Sequence, residues 1–191
     1  MLTPSAARWL LVLHTGLGVA AVAAGTHLVV WLRRFLRGAV TRRSVVKFAA
    51  IFFALQCAAF VAGNLMYPTY KVEVRAAYLE NTGALATEQA TRDDALDELA
   101  RTQHGEPRAA PVTAELVRGA AAAARWFDIK EHWIALGLFA SAAVLLILAL
   151  WDPARDGTAF APIVVALAGI ACGTVWLGAI IGVLTAAWRA V

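Results

Sequence analysis

Trp133-Ile134-Ala135-Leu136-Gly137-Leu138-Phe139-Ala140-Ser141-Ala142-Ala143-Val144-Leu145-Leu146-Ile147-Leu148-Ala149-Leu150-Trp151 is the stretch that decides the fold. A bilayer's hydrocarbon core is about 30 Å thick and a helix rises about 1.5 Å per residue, so a crossing needs roughly 20 mostly apolar residues. This block is of that length, with a tryptophan at each end. Three more blocks qualify: residues 9–32, which hold no Lys, Arg, Asp or Glu, residues 48–66, and residues 160–188. Over the whole chain of 191 residues, 61% are hydrophobic and the mean hydropathy is +0.67. A soluble domain of this size could not bury so much apolar surface. Backbone groups in lipid must be paired within the segment, so each block is read as a helix. The predicted fold is all-α: a single polytopic membrane domain of four spans in a bundle, with residues 67–128 as an external, mostly helical insertion between spans two and three.

Arg8, the apolar run after it and Ala21-Val22-Ala23-Ala24 imitate a secretory signal peptide and its cleavage site. The run, however, continues through Leu32 and then meets Arg33 and Arg34, which is how a spanning helix ends. The connection between spans one and two carries Arg33, Arg34, Arg37, Arg42, Arg43 and Lys47 and no acid. Positive short loops mark the cytoplasmic side. Both termini and the long insertion are therefore expected outside, and the turn of residues 152–157 inside, in a bacterial inner membrane. Tryptophans suit such boundaries, with their apolar face and wet N–H. Trp9, Trp133 and Trp188 fall at the outer one, with Trp126 just beyond, and Trp31 and Trp151 at the inner one; Trp176 lies mid-span. Cys57 and Cys172 lie at similar depth in spans two and four, close enough for contact, and are read as small buried hydrophobes, not as a disulfide framework.

The insertion divides into three. In Tyr67-Pro68-Thr69-Tyr70-Lys71-Val72-Glu73-Val74-Arg75-Ala76-Ala77-Tyr78-Leu79, Pro68 favours a break or a helix start. If residues 69–79 are α-helical, Lys71, Arg75 and Tyr78 share a face. Residues 84–103 offer only a thin apolar stripe of Leu85, Leu96 and Leu99, and residues 104–108 read as a turn. Residues 112–125 read as a second, Ala-rich helix. Two short helices folded over the outer mouth, or a loop, are both consistent with this composition.

Ionisable residues inside a span suggest function. His14 and His27 stand in span one. The plain reading is an imidazole bonded to a nearby carbonyl or hydroxyl, Thr15 and Thr26 being adjacent. Small residues allow another. His14, Gly18, Ala21 and Gly25 line one face, and Gly16, Ala20, Ala23 and His27 another. A flat macrocycle needs such a face, with an imidazole for its iron, although close helix packing uses the same stripe. Thirteen residues separate the two histidines, a rotation of about 220°, so they do not share a face as in a di-haem protein. If haem b is bound, the expected iron ligands are His14 and His132, with Gly18, Ala21 and Gly25 beside the ring. No Cys-x-x-Cys-His motif is present, so covalent attachment is not expected.

A second cluster, Trp126-Phe127-Asp128-Ile129-Lys130-Glu131-His132-Trp133, precedes span three. Asp128, Glu131 and His132 share a helical face. Acids in a first turn complement the helix dipole. They could equally build a polar site at the outer mouth with Tyr67, Tyr70, Lys71, Arg75 and Lys130, and pair, bind a head group, relay protons or hold a metal, although the spacing is no specific metal motif. Arg75 or Lys71 is expected to pair with Asp128 or Glu131. Gln56 and Asn64 are read as interhelical hydrogen-bonders, and Gly169/Gly173 and Gly178/Gly182 as two packing faces of span four.

The combination of Tyr67-Pro68-Thr69-Tyr70-Lys71, Val74-Arg75 and Tyr78-Leu79 with Phe127-Asp128-Ile129-Lys130-Glu131-His132 resembles a family of small bacterial four-helix membrane proteins with no assigned activity. The resemblance implies that the outer ends of spans two and three act together. The leading expectation is a non-catalytic membrane subunit or accessory protein whose outer mouth contacts another membrane protein or a second copy. A b-type haem electron-transfer protein is the alternative. A small transporter or channel comes third, weakened because no acid or base is evident inside a span. Soluble-enzyme and nucleic-acid roles are disfavoured, since topology accounts for the basic cluster.

Overall fold

The computed structural model of the chain describes residues 2–103 and 113–187. Among these there is no strand. The helices are α1 (Pro4–Leu36), α2 (Arg42–Thr69), which runs on as a π-helical segment (Tyr70–Leu79), α3 (Thr82–Gln103), α4 (Thr113–Leu150), the short α5 (Pro153–Asp156) and α6 (Ala161–Ala187). Four helical stretches are long and apolar enough to cross a membrane: Ser5–Leu36, Arg42–Leu79, Ala114–Leu150 and Ala161–Thr185. The chain is a helical membrane protein. The proposed boundary residue Trp188 and the turn at residues 104–108 lie outside the described residues.

Local chemistry sets the helix ends. Thr3 accepts from the Ala6 N–H at 3.3 Å and Pro4 opens α1. At its other end Gly38 takes a left-handed φ of 73°, and the Gly38 and Ala39 N–H groups close back on the Phe35 and Arg34 carbonyls. Arg42, beyond the turn, donates through Nε to the Leu148 carbonyl at 3.0 Å and through Nη2 to that of Ala149. It thereby satisfies the C-terminal end of α4, where a cation is favoured. Part of the basic connection thus has a structural task. In the turn after α4, the hydrogen bonds and charge of Arg155 hold the Asp156 carboxyl down to about 2.

α1 packs against α2 and α6, and α4 against α6 and α2, so α1 faces α4 across a diagonal. The apolar core gathers residues three or four apart from each helix: Leu28 and Leu32, Ala49 and Phe52, Val144 and Leu148, Ala168 and Ala171. Towards the end that carries the insertion it stops at Ala21, Phe52, Ala140 and Val175, where a buried polar layer of Gln56, Ser141 and Thr174 begins. Ser141 donates to Gln56 Oε1 at 2.9 Å, the interhelical bond expected of Gln56. Asn64 does otherwise. It is exposed and donates to the Phe60 carbonyl of its own helix. Of the two glycine pairs in α6, Gly178 and Gly182 meet α4 at Ile134 and Lys130, whereas Gly169 and Gly173 have open space beside them. The mid-span Trp176 donates to Thr26 of α1 at 3.1 Å. Cys57 and Cys172 are free thiols.

The insertion differs from two short helices folded over the mouth. Its second helix and span three are one helix, α4, of 38 residues. That is about 57 Å, against a hydrocarbon core of about 30 Å. Nothing interrupts it, since residues 113–150 contain no proline and only Gly119 and Gly137. α2 likewise passes through Pro68 without ending. The Tyr70 N–H reaches the carbonyls of both Met66 and Tyr67, and the helix continues with the wider i→i+5 pattern to Leu79. The two extensions meet at their far ends. There Tyr78, Leu79, Ala120 and Ala124 enclose Leu85 at the start of α3. The rest of α3 is mostly exposed, including Leu96 and Leu99.

Candidate functional site

The π-helical segment positions the polar cluster expected at the outer mouth. Tyr70 and Arg75 both reach α4, Tyr70 at Phe127 and Arg75 at Asp128. Arg75 donates from Nη1 to Asp128 Oδ1 at 2.6 Å and from Nε to Glu80 Oε1 at 2.7 Å. The tie between α2 and α4 expected from the sequence is made by Arg75 and Asp128. Glu80 was not anticipated: it lies five residues after Arg75, a separation that α-helical periodicity does not bring together. Lys71 and Tyr78 take no part in that tie. Lys71 is exposed, with Nζ 5.9 Å from the Tyr67 ring centre, while Tyr78 is buried beneath α3.

Aromatic rings form the floor. Tyr70 stacks on Phe127 at 3.9 Å between centroids and on Tyr67 at 6.5 Å. Lys130 stands 5.5 Å from the Phe127 centroid, within cation–π range. It also turns inward along α6, where its Nζ lies 3.5 Å from the position a Cβ on Gly182 would take. Lys130 is half-buried, and no carboxylate pairs with it among the described residues. Lys130, expected at this end of the bundle, thus lies on the side of α4 that faces α6. Tyr70 Oη and Gln56 Nε2 are buried without a partner among the described residues.

Asp128 and Glu131 are not first-turn acids, since α4 starts at Thr113. The dipole explanation for them therefore falls away, and Asp128 acts through Arg75 instead. Glu131 is half-buried beside Asp128, and His132 is exposed. Among the described residues no three His, Cys, Asp or Glu side chains converge as a metal site would need.

The histidines follow the plain reading. A backbone carbonyl can only accept, so in each case the ring Nδ1–H donates. His14 donates to Ala59 of α2 at 2.9 Å, His27 to Ala23 at 3.1 Å and His132 to Asp128 at 2.8 Å. The haem reading does not fit this arrangement. Of the face expected to hold a ring, Ala21 is buried and Phe52 of α2 fills the space a Gly25 side chain would need, its Cε2 2.7 Å from an ideal Cβ, while a Cβ on Gly18 would meet nothing within 4 Å. His14 itself lies against Gly63 of α2, with Cε1 3.2 Å from an ideal Cβ there. His132 is exposed and bonded along its own helix, so the expected ligand pair is not brought together. Ala21 and Gly25 serve helix contact.

No protein-family model, curated relative or solved structure matches the chain.

Proposed function

We propose that this protein is a non-catalytic subunit or accessory protein of a bacterial inner membrane, with both termini outside, whose outward-projecting helices hold a partner membrane protein. One observation carries the reading: the ion pairs of Arg75 brace α2 against α4 rather than form a reactive cluster. Arg75 is committed to Asp128 and Glu80, and each imidazole to a backbone carbonyl. They brace a pair of helices that extends well beyond the spans and carries α3 at its end, with Leu96 and Leu99 exposed among acids. The likeness to small bacterial four-helix membrane proteins belongs to the same reading, since it rests on the two stretches that Arg75 and Asp128 join.

Extraction from the native membrane in a mild detergent tests it. The protein should migrate in a complex larger than its own detergent particle, and Leu96→Ser with Leu99→Ser should release it without unfolding it. A lone particle for the natural chain sinks the reading. Reporter fusions at Gly38 and at residue 105 test the orientation: cytoplasmic activity is expected at the first and external activity at the second, and the reverse overturns it. A small transporter is the second reading, favoured by the inward ammonium of Lys130 with no carboxylate partner among the described residues.

A further inference from the structure

We propose that the groove between the start of α2 and the end of α4 is a binding site for the phosphate of an anionic phospholipid. The groove has a volume of about 310 Å³ and is lined by Arg42, Arg43, Val46 and Ala149. Two guanidinium groups thus border an apolar floor. Arg42 is held in place from below: its Nε and Nη2 donate to the Leu148 and Ala149 carbonyls. A guanidinium has five N–H donors, so both on Nη1 and one on Nη2 are left for another acceptor. A fork fixed in advance loses little freedom when it meets a phosphate. Arg43 beside it is exposed and makes no ion pair among the described residues. The connection that leads here, residues 33–47, contains no acid, and Asp156, which feels the charge of Arg42, is itself paired with Arg155.

Position selects a lipid over a soluble phosphate compound. The groove lies at the end of α4, where Ala149 precedes Trp151 by two residues. Ala149 of its floor continues along α4 to Leu146 and Leu150, which are 61% and 68% exposed. A headgroup phosphate on the two arginines would therefore lay its acyl chains along an exposed apolar helix face. Basic pockets between spans at a membrane boundary recognise acidic headgroups in this way.

Native mass spectrometry of the purified full chain in neutral detergent reads the site directly. With dioleoyl phosphatidylglycerol and dioleoyl phosphatidylcholine supplied together, the anionic lipid should be retained about tenfold over the zwitterionic one, as a charge-assisted contact warrants. Arg43→Gln should bring the two lipids to parity. Ala149→Leu, which fills the floor without changing charge, should do the same. Arg37→Gln, outside the groove, should leave the preference intact. Inorganic phosphate at the same concentration should not displace the lipid. The proposal is overturned by equal retention of the two lipids, by a preference that survives both groove variants, by an equal loss in Arg37→Gln, or by displacement with inorganic phosphate.

Discussion

Gly18 and Gly25 stand seven residues apart on one stripe of α1, and the structure gives them opposite fates. Alanine in place of a helical glycine gains about 1 kcal/mol of backbone preference at either position. At Gly18 that gain stands alone, since a Cβ there meets nothing within 4 Å. At Gly25 the new Cβ would lie 2.7 Å from Cε2 and 2.9 Å from Cζ of Phe52. Carbon pairs prefer about 3.5–4.0 Å, so the shortfall approaches about 1 Å. Phe52 is 0% exposed and has no room to retreat. α1 must then move off α2, an overpacking that costs about 1–3 kcal/mol. The propensity gain cancels in the comparison, which leaves Gly25→Ala less stable than Gly18→Ala by about 1–3 kcal/mol. Titration of the micellar protein with sodium dodecyl sulfate, followed by the fluorescence of its 7 tryptophans, measures both. In a Phe52→Leu background the penalty at Gly25 should shrink. Equal stability of the two alanine variants would refute the packing account and reopen the stripe as space for a ligand.

Three further outcomes are expected. A double-mutant cycle on Arg75 and Asp128, whose side chains are 25% and 39% exposed, should give a coupling of about 0.5–1 kcal/mol after discounting for solvent. The coupling should fall in 1 M salt, as the Debye length drops to about 3 Å, and its absence would show that the tie does not join the helices. Lys130→Met should raise the unfolding midpoint, because an apolar side chain of similar length replaces a half-buried charge that has no carboxylate partner among the described residues; a lower midpoint would mean that the ammonium is stably paired. Ser141→Ala should cost about 0.5–2 kcal/mol by stranding the Gln56 amide, and more than Gln56→Leu, which removes an amide whose Nε2 already lacks a partner. The reverse order in the same titration would place the value of the bond elsewhere.

Legibility in the sequence followed the kind of interaction involved. The Arg75–Asp128 tie was visible because opposite charges leave two adjacent spans at one level, and few other partners exist there. Gln56 was visible because an amide inside a span must find a bond, yet Asn64, of the same chemistry, satisfied itself on its own helix. Glu80 was not legible, because the helix widens after Pro68 and i→i+5 neighbours are absent from an α-helical reading. The small-residue face of α1 was seen as a face. Its use was not, since a stripe of Gly and Ala has the same appearance whether a ring or a neighbouring helix lies on it.

The residues alone determined that the chain has four spanning helices, for a block of about 20 apolar residues has one way to satisfy its backbone in lipid. Which way the polar side chains turn was decided only in three dimensions. His14 turns to a carbonyl on α2, and Lys130 turns inward along Gly182, while its neighbours Asp128 and His132 bond to Arg75 and to their own helix. Periodicity specifies which residues share a face of one helix. It carries no information on what the next helix sets against that face, and the energy of a buried polar group depends on that partner.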